Sequence, residues 1–312
     1  MVLLSSIIFG RLGDVVGRKK MILLGFLTCA FVFFGHNLIE NISALFILRG
    51  LAGVGVGMIP GSLAALAWGG SLGLFTAMGS LGFTGASFLA GMLRENFYIF
   101  SGSALFALVG FFLTLCMREH PVKLTVPLFP IKIIFKNIRV YLPYLIRHSA
   151  ATAMWAIFPI YLTTLGADKF WIGVIYAINP LMQFIFMLLL DRYKSTSLIS
   201  AGLIASFLTF LGYAVTGHWQ VVIVLQVLLG FSWANLYLGS IKFLLENNAE
   251  KATATGILNS VFGLSGIIGP LVGGLILFFG LRTLLYFSTF LAFGAVIVSR
   301  ILKLPEKILL LK

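Results

Sequence analysis

The feature that most constrains this chain is a succession of continuous apolar runs separated by short polar breaks. Complete runs cover residues 21–39, 44–67, 72–93, 97–117, 140–163, 170–190, 197–216, 219–244, 253–279 and 282–302. A bilayer core of about 30 Å needs roughly 20 apolar residues per helix, so each run is long enough to cross. Residues 2–9 form a shorter run. At about 1.5 Å per residue it covers roughly 12 Å, under half of that core. The runs do not alternate with period two, which excludes an outer-membrane barrel. The chain is 60% hydrophobic and only 10% charged. Soluble domains run near 45–50% and 25%, so soluble enzymes, coiled coils and disordered proteins are excluded as well. The fold class is an all-α polytopic membrane protein with ten complete spans and a partial one.

The net charge of +13 has a topological reading. With residues 10–20 placed inside, 17 of the 22 Lys and Arg fall in inside loops or the tail, and three (Arg94, Lys169 and Arg282) fall outside. Basic residues collect on the cytoplasmic side of membrane proteins, so this bias predicts a cytoplasmic C-terminus and no nucleic-acid partner. Cys29 and Cys116 lie in apolar runs with no disulfide or metal-ligand pattern. No basic region or small-residue cleavage site accompanies the first run, so no cleavable signal peptide is expected.

The longest polar segment, 118–139, has three prolines and a basic, partly apolar character suited to the cytoplasmic membrane surface. It reads as a linker between an N-terminal bundle, 1–117, and a C-terminal bundle, 140–312. A repeat is visible across it. Asp14 and Asp191 are related by nearly the same offset as Gly85 and Gly266, which points to a duplicated bundle.

Residues 10–20 read as a polar loop in which Gly10, Leu12, Asp14, Gly17, Arg18 and Lys19 stand at the defining positions of the pattern G-x-L-x-D-x-x-G-R-K. This resembles the signature of the major facilitator superfamily, the MFS, between its second and third helices. The resemblance implies twelve helices in two six-helix bundles, both ends cytoplasmic, and a central path that alternates between the two sides. Residues 2–9 then end helix two, the ten complete runs are helices three to twelve, and 118–139 is the long central loop. Helix one and part of helix two are absent from this pattern; a start assigned too late is the expectation, with a fragment or a decayed gene as the alternatives. The loop makes physical sense as a gate. Asp14 is expected to face the cytoplasmic N-terminus of helix eleven near Thr253 and Thr255, where the helix dipole favours an anion, and to bias a two-state equilibrium. The alternative is a simple loop cap.

The fourth helix of that scheme carries Arg49, with Gly53 and further glycines after it. This resembles the family's R-x-x-x-G motif. An arginine inside a span faces a cavity or partner, or it snorkels to the nearby outer interface. Gly53 and Gly85 fit close helix packing. Gly269, Pro270 and Gly273 resemble the glycine–proline signature of the family's antiporters, but on helix eleven rather than five, so helix packing is the reading favoured.

Arg147, His148, Thr152 and Trp155 form the next candidate group. The last three share a helix face. His148 is either a proton relay or part of a polar patch. Gln183, Gln226, Trp233, Asn235 and Asn259 either hold a polar ligand or make interhelical hydrogen bonds.

No acidic residue lies deep in a complete span. With Arg49 and Arg147 present, this leans toward an anionic or neutral solute. The expected activity is secondary transport of a small solute across the cell membrane, with no enzyme motif in view. The alternative is a non-transporting or inactive relative. Partners are the solute, the bilayer and a coupling proton or ion. A monomer is expected, with no cofactor and no metal.

Overall fold

A computed structural model of the chain describes residues 1–93, 95–118, 124, 126, 127 and 129–303. Among these residues it contains thirteen α-helices and no strand: α1 (Val2–Val16), α2 (Arg18–Gly35), α3 (Ile42–Ala67), α4 (Leu72–Leu93), α5 (Asn96–Cys116), α6 (Ile131–Lys136), α7 (Ile138–Trp155), α8 (Phe158–Thr164), α9 (Lys169–Leu190), α10 (Ser195–Val215), α11 (Trp219–Asn247), α12 (Lys251–Leu277) and α13 (Leu281–Ile301). Nine of them, α2 to α5 and α9 to α13, are individually long and apolar enough to cross a membrane.

Two segments differ from the sequence reading. Residues 10–20 are not a loop. Helix α1 continues through Gly10, Arg11 and Asp14 to Val16, and the turn is made at Gly17, whose φ of 132° lies in the region that glycine alone adopts freely. The polar residues stay helical because Arg11 and Asp14 are buried against partners described below.

The run 140–163 is likewise not one helix. Helix α7 ends at Trp155, and α8 starts at Phe158 with Pro159 in its first turn. Proline has no N–H to give the preceding turn, so a first helical turn suits it well, and Pro159 takes that place where α7 gives way to α8, whereas Pro60, Pro143, Pro180 and Pro270 lie inside helices that continue through them. This break is why the ten-run reading yields nine long unbroken helices.

Other ends are set by capping. The Asn41 side chain accepts the Ala44 N–H at 2.8 Å at the start of α3, and the Asp168 side chain accepts the Trp171 N–H at 2.9 Å at the start of α9. Each satisfies one backbone donor that the first helical turn leaves free.

The helices form two compact units. The first comprises Met1–Ser71, Gly85–Phe135 and Leu244–Gly263; the second comprises Leu72–Thr84, Lys136–Phe243 and Leu264–Lys312. In the first, α2 packs on α3 and α5, and α1 packs on α3. Cys29, Ala30 and Ala107 form a small core there with Phe26, Phe33 and Ile59. In the second, α13 packs on α7 and α10 around a larger core that includes Met154, Phe158, Phe210, Tyr213 and Leu285. Bulky apolar side chains such as Phe31, Phe46, Phe106 and Phe290 are exposed, which suits a hydrocarbon surround.

Candidate functional site

The last turns of α1 put Arg11 and Asp14 into the interior of the first unit, where Asp14 is fully buried. Its carboxylate sits on the first turn of α12. Oδ2 accepts the Thr253 N–H at 2.8 Å and the Thr253 hydroxyl at 2.9 Å, and Oδ1 accepts the Ala252 N–H at 3.3 Å. Arg18, just past the Gly17 turn, donates to Oδ1 from Nη2 at 2.9 Å and from Nε at 3.3 Å. Asp14 therefore caps α12 from another helix. It fills backbone donors that a helix start leaves free, at the positive end of the helix dipole.

Arg11 extends the network. It pairs with Glu250, approaches Thr253 Oγ1 at 3.5 Å, and donates from Nε to the Pro127 carbonyl at 2.9 Å. The Leu124 N–H donates to the Asp14 carbonyl at 3.1 Å. Two points of the 118–139 segment are thus tied to α1. Lys19 donates to the carbonyls of Leu115 and Met117 at 2.8 and 2.7 Å, a cation at the C-terminus of α5. Leu12 is half-buried.

Helix backbones meet closely beneath the carboxylate. A Cβ on Gly10 would lie 2.6 Å from the Ala252 carbonyl oxygen, and one on Gly61 would lie 2.7 Å from the same atom. A Cβ on Gly256 would run into the Ser6 carbonyl. The Thr255 hydroxyl donates to the Gly61 carbonyl at 3.0 Å, and the Ser260 hydroxyl donates to the Leu3 carbonyl at 2.6 Å. Gly53 has Met1 and Val2 within 3.3 Å of where its Cβ would be. Gly85 does not fit its expected role. Nothing among the described residues comes within 4 Å of its Cβ position, so no close crossing needs a glycine there.

The remaining candidates are dispersed. Arg49 is exposed on α3 and has no partner among the described residues. Asn259, in the first unit, and Asn235, in the second, each donate to a carbonyl of their own helix, Thr255 at 3.0 Å and Phe231 at 2.8 Å. Neither makes an interhelical hydrogen bond among the described residues, which is one of the two readings for these amides. Trp155 packs on Phe158 and Tyr176, with ring centroids 4.8 and 5.4 Å away.

The second unit gathers several others. Gln183 donates to Asn179 at 2.9 Å and accepts from Ser80 at 3.2 Å. Thr152 donates to the Ser265 carbonyl at 2.8 Å, just where Gly269 lets α12 approach α7. Gly273 continues that approach, its Cβ position 2.9 Å from Ala153 Cβ, while Pro270 between them is exposed. Arg147 is buried and bonded to Ser206 and Ser232. His148 lies 4.9 Å, centroid to centroid, from Trp233, which stacks on Tyr237 at 5.5 Å. Gln226 is buried and neither of its side-chain polar atoms has a partner among the described residues.

Asp191 ends α9 beside Gly73 at the start of α4, where a glycine Cβ would lie 2.6 Å from Asp191 Cβ. Lys242 donates to the Asp191 carbonyl at 2.5 Å and to the Tyr193 carbonyl at 3.0 Å. The pair of aspartates noted as a repeat thus lies at two helix starts.

Sequence reasoning missed Glu250, Gly61, Tyr144, Ser206, Phe210, Tyr213 and Ser232. The spacing of Ser206, Phe210 and Tyr213 places them on one face of α10, which is a usable signal, but nothing in it names Arg147 as the partner.

Residues 140–309 match the family model of the Major Facilitator Superfamily. No curated protein matches the chain. Among solved structures, the chain is similar to the human organic anion transporter MFSD10 (TETRAN), with a TM-score of 0.81 and 17% identity over 96% of this chain and 80% of that one. That likeness agrees in fold with the helical architecture above. The family match takes in more than half of the sequence, and the chain belongs to the Major Facilitator Superfamily of multi-pass membrane solute transporters.

Proposed function

We propose that this transporter moves a small anionic or neutral solute across the cell membrane by alternating access, with Asp14 as its cytoplasmic latch. The observation that carries this reading is the Asp14 carboxylate on the Ala252 and Thr253 N–H groups. Such a contact is all-or-none: a fully buried carboxylate leaves its donors in one step when the helices separate. It is made in the state closed to the cytoplasm and lost in the open one, so it biases the equilibrium between them. Residues 1–117 and 140–312 are the moving halves, 118–139 is the linker, and the C-terminus is cytoplasmic. The chain works as a monomer, with a proton or ion as coupling partner.

The preference for anionic or neutral solutes rests on the absence of acidic residues deep in the spans. The human protein of similar fold is described as an organic anion transporter, which makes organic anions the first set to assay. The test is counterflow in proteoliposomes holding the purified full chain, with labelled organic anions, neutral sugars and organic cations at two pH values. Exchange of an anion or neutral solute is expected. Exchange of cations alone would refute the solute class, and no exchange of any would refute transport.

A further inference from the structure

The core of the second unit holds a charge that its own described residues do not neutralise. Arg147 sits near the middle of α7 and is 2% exposed. Its Nε donates to Ser206 Oγ at 2.6 Å, its Nη2 donates to Ser232 Oγ at 3.2 Å, and Phe210 and Trp233 cover the guanidinium at 5.5 and 5.4 Å. A guanidinium has five N–H donors. These contacts use two of them, both on neutral hydroxyls. Neither of the ion pairs Arg11–Glu250 and Arg18–Asp14 involves Arg147, and no described carboxylate pairs with it. A lone cation inside a membrane bundle is strongly unfavourable unless something compensates it.

Polar groups with unused capacity flank this charge. The hydroxyls of Tyr144 and Tyr213 are buried and have no hydrogen-bond partner among the described residues. Tyr144 lies one turn before Arg147 on α7, its ring 6.0 Å from that of Trp233, which covers the guanidinium, and Tyr213 lies one turn after Phe210 on α10 in the same core cluster. Gln226 is fully enclosed with both amide atoms unpartnered. Its neighbours on α11, Val222 and Leu229, belong to the same core as Tyr213. Guanidinium, phenol and amide can all donate. Unpaired positive charge together with spare donors is the chemistry that receives an anion. The enclosure of Arg147 limits that anion to a small one.

We propose that this unit holds a resident halide-sized anion at Arg147, bound by the guanidinium and by the Tyr144 and Tyr213 hydroxyls. The site is internal to one unit and is independent of which solute the chain moves. A halide and the carboxylate of a small organic acid share this chemistry, and the test separates them. The purified full chain is melted in sodium gluconate, with sodium chloride, bromide or acetate replacing it stepwise at constant ionic strength. A saturable rise in melting temperature with chloride and bromide is expected. Tyr144→Phe and Tyr213→Phe should each raise the half-saturating halide concentration roughly tenfold, the equivalent of one lost charge-assisted bond. Arg147→Gln should abolish the response; if it does not fold, the two tyrosine variants decide. Equal melting in chloride, bromide and gluconate, a response to acetate alone, or wild-type half-saturation in both tyrosine variants would overturn the proposal.

Discussion

The Asp14 carboxylate accepts the Thr253 backbone N–H at 2.8 Å, joining residues 239 positions apart in the chain. The same carboxylate holds the Thr253 hydroxyl and the Arg18 guanidinium. One negative charge therefore satisfies a helix start and a buried arginine together. Removing it takes the acceptor from that helix start and an ion-pair partner from the arginine, and this sets the size of the effects expected below.

Asp14→Asn should lower the stability of the purified chain by about 1.5–3 kcal/mol, the worth of a hydrogen bond to a charged group. Asp14→Ala also strips Arg18 of its ion pair and should lose about 3–5 kcal/mol. Thermal melting in detergent reads both. Equal melting of the wild type and the two variants would contradict the geometry.

Arg11 and Glu250 should be coupled rather than additive. Each single change, Arg11→Gln or Glu250→Gln, leaves the other group without its ion-pair partner. The double variant should recover about 0.5–3 kcal/mol of the summed losses. A double-mutant cycle on melting free energies checks this, and additive losses would show that the pair is not an energetic unit.

The glycines divide into two classes with opposite expectations. Gly256→Ala and Gly61→Ala push a methyl group into backbone atoms of neighbouring helices. Each should destabilise by about 1–3 kcal/mol, the usual effect of overpacking. Gly85→Ala adds a methyl group where nothing lies within 4 Å. It should leave stability unchanged or raise it by about 0.5–1 kcal/mol, because alanine loses less backbone freedom in a helix. Melting of the three variants side by side distinguishes the classes.

Much of the fold is legible because lipid imposes a length. The runs 72–93 and 170–190 correspond to α4 (Leu72–Leu93) and α9 (Lys169–Leu190) within a residue. Hydropathy fails where a local backbone rule overrides it. The apolar run 140–163 is interrupted between Trp155 and Phe158, with Pro159 in the first turn after the break, and Gly17 alone makes the turn within the polar segment 10–20. The site was legible where charge chemistry narrows the choices: a buried aspartate beside glycines has few stable surroundings, and a helix N-terminus is one of them. The partners of Arg147 were not legible. Ser206 and Ser232 are ordinary helix residues whose approach to α7 is decided by packing between helices, which periodicity along one chain does not encode.

The most direct test of the latch is the rate of solute uptake by Asp14→Asn in proteoliposomes, measured at matched protein content beside the wild type with a solute that the wild type exchanges. Loss of one charge-assisted bond shifts the equilibrium between the two states by roughly tenfold or more. Uptake should fall by a similar factor while the variant remains folded in the membrane. Wild-type uptake by Asp14→Asn would contradict the account.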